Sequence, residues 1–221
     1  MATAAALAAA GYLLYSNMST DKQDAGILKG KGFKDEGKDQ LRTLYKTEAA
    51  KRAELISDVS YRIAYALLRG GKTFLGQVKV QFTMSTVDDT FLDYAGETVH
   101  WIKVNGKSVE DYNPFANDKI TIKKELLVKG VNTVEIKFES RYVRDCEGIH
   151  YYKDTADDEE YLYSQFEAAS AHKAFPCFDQ PNLKAPYTFL AIVPKGWIVL
   201  STEQQCTPTS HKGSKEFSDQ L

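Results

Sequence analysis

The chain has 221 residues, 43% of them apolar and 26% charged. That fits one globular domain with extras, or at most two small ones, and excludes a wholly disordered chain and a polytopic membrane protein. With 28 lysines and arginines against 30 aspartates and glutamates the formal charge is −2, so the basic surplus of a general nucleic-acid binder is missing and no nucleic-acid partner is expected.

Met1 to Thr20 carry no charged side chain, and Ala2 to Tyr15 are almost all apolar. No Lys or Arg precedes Lys22, so neither the basic flank of a secretory signal nor the arginines of a mitochondrial presequence are present. The run is also shorter and richer in alanine than a spanning helix requires. Wound as a helix, Ala2, Ala6 and Ala10 line one stripe and Thr3, Leu7 and Gly11 the next, a pattern of small residues that lets another helix approach closely. Residues 1–20 are therefore expected to form a short apolar helix docking on a membrane edge or on partner helices. A cleaved or disordered tail and a targeting signal are the other two readings. Residues 21–38 mix Lys, Asp and Gly with little apolar content and read as a linker.

Residues 39–57 read as one amphipathic helix. Asp39 can cap it, no Gly or Pro interrupts it, and Leu41, Leu44, Tyr45, Ala49, Ala53 and Ile56 recur at helical spacing. Glu48 stands four residues before Arg52, the spacing of a supporting ion pair on a helix surface. From there the period changes to two. Val59, Tyr61, Ile63 and Tyr65 alternate, as do Val78, Val80, Phe82 and Met84. Val99, Trp101 and Val104 lead into Asn105-Gly106, a strong tight-turn signal. Further strands are expected around Val134 to Phe138, Tyr161 to Gln165, Tyr187 to Val193 and Trp197 to Leu200, with turns at Gly70-Gly71, Gly130 and Pro194-Lys195-Gly196. The fold class is therefore mainly β, with residues 58–221 forming an antiparallel β-sandwich or a saddle-shaped pair of sheets. The three cysteines, Cys146, Cys177 and Cys206, include no C-x-x-C and read as plain thiols rather than a disulfide scaffold or zinc knuckle.

Periodicity goes no further than the sandwich, but the second half of the chain is more specific. The run from Tyr161 through Gln165, Glu167, His172, Phe175-Pro-Cys177-Phe-Asp179-Gln-Pro181 to Lys184 closely resembles the signature of the aminopeptidase N family of zinc aminopeptidases. Arg52 to Tyr61 and Cys146-Glu-Gly148-Ile-His150 resemble the same N-terminal domain, and the likeness extends from about Thr47 to about Thr202. The resemblance implies a saddle-like sandwich that packs against a separate catalytic domain. It also implies a role for the Gln-x-Glu element, here Gln165 and Glu167, which in the family grips the free α-amino group of the substrate. Positions two apart on a strand share a face, so an amide and a carboxylate could converge there on one ammonium group.

The zinc chemistry of that family needs H-E-x-x-H on a helix. The four histidines here, His100, His150, His172 and His211, include no pair four apart and none followed by Glu. The family's Gly-x-Met-x-Asn strand is absent too, and there is no Gly-x-Ser-x-Gly, P-loop or G-x-G-x-x-G. No cofactor is expected, zinc belonging to the family's catalytic domain, and Gln165 and Glu167 are expected to be vestigial. Asp154 to Glu160 reads as a solvated hairpin tip. His172-Lys173 stand where the family usually has two arginines, and neither offers a guanidinium fork. The family's sandwich runs on past the Leu200 region, so a C-terminally truncated sandwich is expected, its open edge covered by a partner or by the polar tail Thr207 to Leu221.

The favoured reading is a non-catalytic, aminopeptidase-like sandwich serving as a structural or accessory subunit of a larger, membrane-associated complex of protein subunits. The free cysteines and the apolar leader fit a mitochondrial home, with the cytoplasm as the alternative. A second reading makes it the substrate-binding part of a zinc aminopeptidase whose catalytic domain lies on another chain. A third, weaker one is a stand-alone peptide-binding module.

Overall fold

The structure is a computed structural model that describes residues 33–34 and 44–202. The expected apolar helix over 1–20, the linker apart from its residues 33–34, the first residues of the expected helix, His211, Cys206 and the tail from 203 lie outside the described residues.

In chain order the elements are β1 (Phe33–Lys34), α1 (Lys46–Leu55), β2 (Ile56–Ala66), β3 (Thr73–Met84), β4 (Thr90–Asp93), β5 (Thr98–Val104), β6 (Lys107–Ser108), β7 (Phe115–Ala116), β8 (Lys119–Ile122), β9 (Gly130–Arg141), β10 (Gly148–Lys153), β11 (Glu160–Gln165) and β12 (Tyr187–Ile192). A large sheet runs in the order β1-β5-β9-β3-β2-β12, with β6 hairpinned onto β5. A small sheet, β4-β8-β7, faces it, and β10-β11 form a separate hairpin.

The alternation read from the sequence sets this arrangement. In β3 and β9, Val78, Val80, Phe82, Met84, Val134, Ile136 and Phe138 are all buried, and the two strands pair without a break from Thr73↔Arg141 to Met84↔Gly130. Leu92, Phe115, Ile120 and Ile122 from the small sheet join the same cluster. Their common core is the interior between the two sheets. Tyr94, just after β4, lies 5.3 Å from both Phe115 and Phe138, ring centre to ring centre. Its hydroxyl donates to the Glu139 carbonyl at 2.6 Å. Asn105 and Gly106 both have positive φ, 50° and 80°, as a two-residue hairpin turn requires. Two bulges bend the large sheet, one at Asp58-Val59 in β2 and one at His100 in β5.

Four features differ from expectation. The helix starts at Lys46, where the Tyr45 N–H donates to Glu48 Oε2 (3.2 Å), and it ends at Leu55 because Ile56 already pairs with Met84. Arg52 does not lie on the helix surface but is buried, while Glu48 reaches Lys119 at 2.6 Å. The edge strand β12 runs parallel to β2, from Tyr187↔Tyr61 to Ile192↔Ala66, so the large sheet is not purely antiparallel. Trp197 to Leu200 form no strand. The turn at Pro194-Lys195-Gly196 (Gly196 φ 93°) precedes them, and Ile198 and Leu200 are exposed.

Two predictions follow from the core. A Cβ built on Gly76 would lie 2.2 Å from the ring of the fully buried Phe138. Gly76→Ala should therefore cost about 1–3 kcal/mol by overpacking, read as a lower urea midpoint at unchanged m-value. Burial also pushes the phenols of Tyr65 and Tyr94 well above their ordinary value of 10.0 and that of Tyr142 up to about 12. Because these folded-state values are raised, stability is at its full value below about pH 10 and falls as pH rises toward and past 12. Between about pH 10 and 12 each tyrosine should contribute a slope of up to about 1.4 kcal/mol per pH unit, and above about 12 the contribution of Tyr142 levels off, measurable by urea titrations at stepped alkaline pH.

Candidate functional site

One charged residue organises the ground beneath the site. Arg52 points from α1 into the interior and pairs with Asp93 at the end of β4 (Nη1 to Oδ2, 2.7 Å), both side chains almost fully buried. Its Nε donates to Gln180 Oε1 at 2.5 Å, and its guanidinium lies over Phe91 at 4.4 Å from the ring centre. Gln180 Nε2 in turn donates to the Ala49 carbonyl of α1 at 3.1 Å. Asp93 and Cys177 exchange both backbone hydrogen bonds (2.7 and 3.1 Å), and the Asp179 N–H donates to Asp93 Oδ2 at 3.1 Å. Phe178 packs edge-on against Phe82 at 5.3 Å, and its N–H donates to the Tyr61 hydroxyl at 3.0 Å. The Phe175 to Pro181 run thus acts as a staple, tying α1 and β4 to the large sheet. Burial pushes the Cys177 thiol well above its ordinary range, which keeps it protonated and unreactive.

The staple fixes the chain just before it. His172 and Lys173 lie in a short 3-10 turn, Ala171–Lys173. The Asp179 carboxylate faces His172 Nδ1 at 2.6 Å and accepts from its backbone N–H at 3.1 Å. Lys173 Nζ pairs with Glu147 and, at 3.5 Å, with Asp145. Both positions therefore keep carboxylate partners, but as point contacts rather than forks. A cleft of about 390 Å³ opens beside this chain of charges, with Asp93, His172, Asp179 and Ala169 among its walls.

Gln165 and Glu167 sit at the exit of the hairpin. Gln165 is the last residue of β11, opposite Gly148, and Glu167 lies beyond the strand. The shared strand face expected for them is therefore not formed. A turn brings them together instead, the Glu167 N–H donating to Gln165 Oε1 at 3.2 Å. Phe166, between them, packs on Phe175 at 6.0 Å, which anchors the turn. Both residues are exposed, and among the described residues the Glu167 carboxylate has no protein partner. A carboxylate of this kind can accept an ammonium hydrogen bond worth about 1.5–3 kcal/mol when water is excluded. In open solvent an ion pair falls to about 0–1 kcal/mol.

The same face of the hairpin carries a ladder of rings. His150 stacks on Tyr163 at 4.6 Å, and Tyr152 faces Tyr161 at 6.5 Å. Tyr161, Tyr163 and Gln165 lie two apart along β11, so the ladder leads directly to the Gln165–Glu167 turn. The spacing of Tyr161 and Tyr163 gave the strand, but exposure of its aromatic face is a tertiary fact the sequence does not announce.

The residues present do not fit the family's zinc. No two histidines stand four apart in the sequence, and among the described residues no group of three or more His, Cys, Asp and Glu side chains is placed to hold a metal ion. Among the described residues, too, no helix is long and apolar enough to cross a membrane.

A family model described as the peptidase M1 N-terminal domain matches residues 57–219. Aminopeptidase N of Streptomyces lividans is 32% identical over 168 residues, which is 75% of this chain and 19% of that protein. The leucyl aminopeptidase of Saccharolobus solfataricus is 31% identical over 129 residues, 58% of this chain and 15% of that one. The chain thus spans less than a fifth of the length of these relatives. The structure of leukotriene A4 hydrolase from Saccharomyces cerevisiae superposes with a TM-score of 0.51 at 17% identity, covering 68% of this chain and 28% of that one, a likeness of fold.

The buried ion pair yields a direct test. Arg52→Met leaves the Asp93 carboxylate buried without its cation and should cost about 3–5 kcal/mol. Adding Asp93→Leu should recover much of that loss, and urea unfolding of the two variants measures both steps.

Proposed function

The chain belongs to the peptidase M1 N-terminal domain family, and from that premise we propose that it works as a non-catalytic docking domain in a larger protein assembly. The observation that carries this reading is the aromatic surface. Tyr152, Tyr161 and Tyr163 on the hairpin are each nearly half exposed, and Tyr187 and Phe189 on the edge strand β12 are also exposed. Exposed tyrosines gathered on one face of the hairpin, with further exposed rings on β12, are the composition of a protein interface rather than of a free surface. The expected partner is another protein subunit, with residues 1–20 adding an apolar contact to the same assembly.

A second reading is favoured by one particular residue, the partnerless carboxylate of Glu167 at the end of the tyrosine ladder. A partner covering Tyr161 and Tyr163 would also cover Glu167 and remove the solvent that screens it. If that partner carried a catalytic H-E-x-x-H, Glu167 would grip the α-amino group of a peptide.

Size-exclusion of native extract followed by mass spectrometry tests the first reading. The chain should elute in a stoichiometric complex, and Tyr161→Ser with Tyr163→Ser should release it while leaving its melting temperature unchanged. Recovery as a lone monomer would contradict the proposal. For the second reading, Glu167→Ala should leave the complex intact but lower peptide turnover, mainly through a raised KM. Unchanged turnover by the complex would reject that reading alone.

A further inference from the structure

A second cleft, of about 360 Å³, lies away from Glu167, where the β2–β3 turn meets the end of β9 and the start of β10. Its walls include Lys72, Arg141, Tyr142, Arg144, Tyr151 and Glu97. The frame around it is rigid. The Tyr142 N–H donates to the Lys72 carbonyl at 3.1 Å, and the Tyr142 hydroxyl accepts from the Leu68 N–H at 3.1 Å. On the other side, Val143 and Tyr151 donate to Ile149 and Val143 carbonyls at 3.0 and 2.9 Å. Tyr142 also packs on Phe74, centre to centre 5.1 Å.

The charges in this cleft do not balance. Arg141 is taken up by Glu97. Three nearby acids are engaged in ion pairs elsewhere, Asp145 and Glu147 with Lys173 and Glu159 with Arg69, while Glu160 accepts from the Gly70 N–H at 2.8 Å and from the side chain of Tyr151 on the cleft wall. Lys72 and Arg144 are left without a carboxylate partner among the described residues. Arg144 lies over the Tyr151 ring at 5.1 Å from its centre, a stacking that holds the guanidinium plane while its N–H edge stays available.

We propose that this cleft binds a phosphoryl dianion, as inorganic phosphate or as a small phosphate monoester. Lys72 and Arg144 offer two cations, neither held in an ion pair among the described residues, to a doubly charged group. The guanidinium edge offers parallel donors to two phosphoryl oxygens, and the ammonium supplies a point charge to a third. The volume lies at the small end for a ligand cleft and suits a phosphoryl group with a small organic part. The site is independent of the docking function proposed above.

Calorimetric titration of the full chain with inorganic phosphate, phenyl phosphate and acetate tests it, at constant ionic strength and about pH 8, where phosphate is a dianion. Saturable binding of one phosphoryl probe is expected, with the tighter of the two identifying free ion or ester. Arg144→Gln and Lys72→Gln should each weaken it by about ten-fold or more, and acetate should bind at least about ten-fold more weakly. Both residues are exposed, so equal melting temperatures of the variants would show that lost binding is not lost folding. Absence of saturable binding, equal binding of acetate, or binding undiminished in both variants would overturn the proposal.

Discussion

Arg52 enters the interior carrying a charge whose desolvation costs several kcal/mol, and what it meets there decides the architecture around it. Asp93 returns the charge, Gln180 accepts a hydrogen bond from its Nε, and Phe91 covers its face. Three separated stretches of chain must therefore arrive together: α1, the end of β4, and the Phe175 to Pro181 run. None of the three can leave without exposing or orphaning a buried charge. A pair of this kind is weak evidence of net stability but strong evidence of a specified arrangement, because the penalty for the wrong partner is large. In this chain its effect is registry: it fixes where the staple lies on the sandwich.

That registry reaches the surface. Asp179, placed by its N–H on Asp93, holds both the ring and the backbone of His172. The turn containing His172 and Lys173 is continuous with the segment that carries Gln165 and Glu167, and Phe166 pins that segment to Phe175. The exposed pair is thus held by a chain of contacts that begins at a buried ion pair. What the domain lacks is a dry environment for Glu167. Screening by water separates a weak surface carboxylate from an effective amine site, and in the proposed assembly it is a partner on the tyrosine ladder beside it that would supply the missing wall.

Much of this was legible in the sequence. Alternation at Val78 to Met84 and at Val134 to Phe138 marked the two central strands, and Asn105-Gly106 marked their neighbour's turn, since local sterics and one buried face determine both. The Phe175 to Pro181 run was recognisable by resemblance, though its role as a staple was not. The Arg52–Asp93 pair was missed because helical spacing suggested the nearer Glu48. A signal was there: Arg52 falls on the stripe of Ala49, Ala53 and Ile56, and an arginine among small apolar residues is positioned to point inward. Trp197 to Leu200 carries the alternation of a strand but does not form one, and period alone does not decide that. The strand at Tyr187 to Ile192 was expected, but the same limit hid its parallel pairing with β2 and the turn that follows β11 between Gln165 and Glu167.

If the Arg52-centred clasp makes the staple part of the core, the amides of Cys177 and Asp179 should exchange with solvent only through global unfolding. Native-state hydrogen exchange reads this directly. The account predicts opening free energies for these two amides equal to those of Val78 and Ile136 in the central strands. Exchange of Cys177 and Asp179 through a low-energy local opening, while the central strands stay protected, would contradict it.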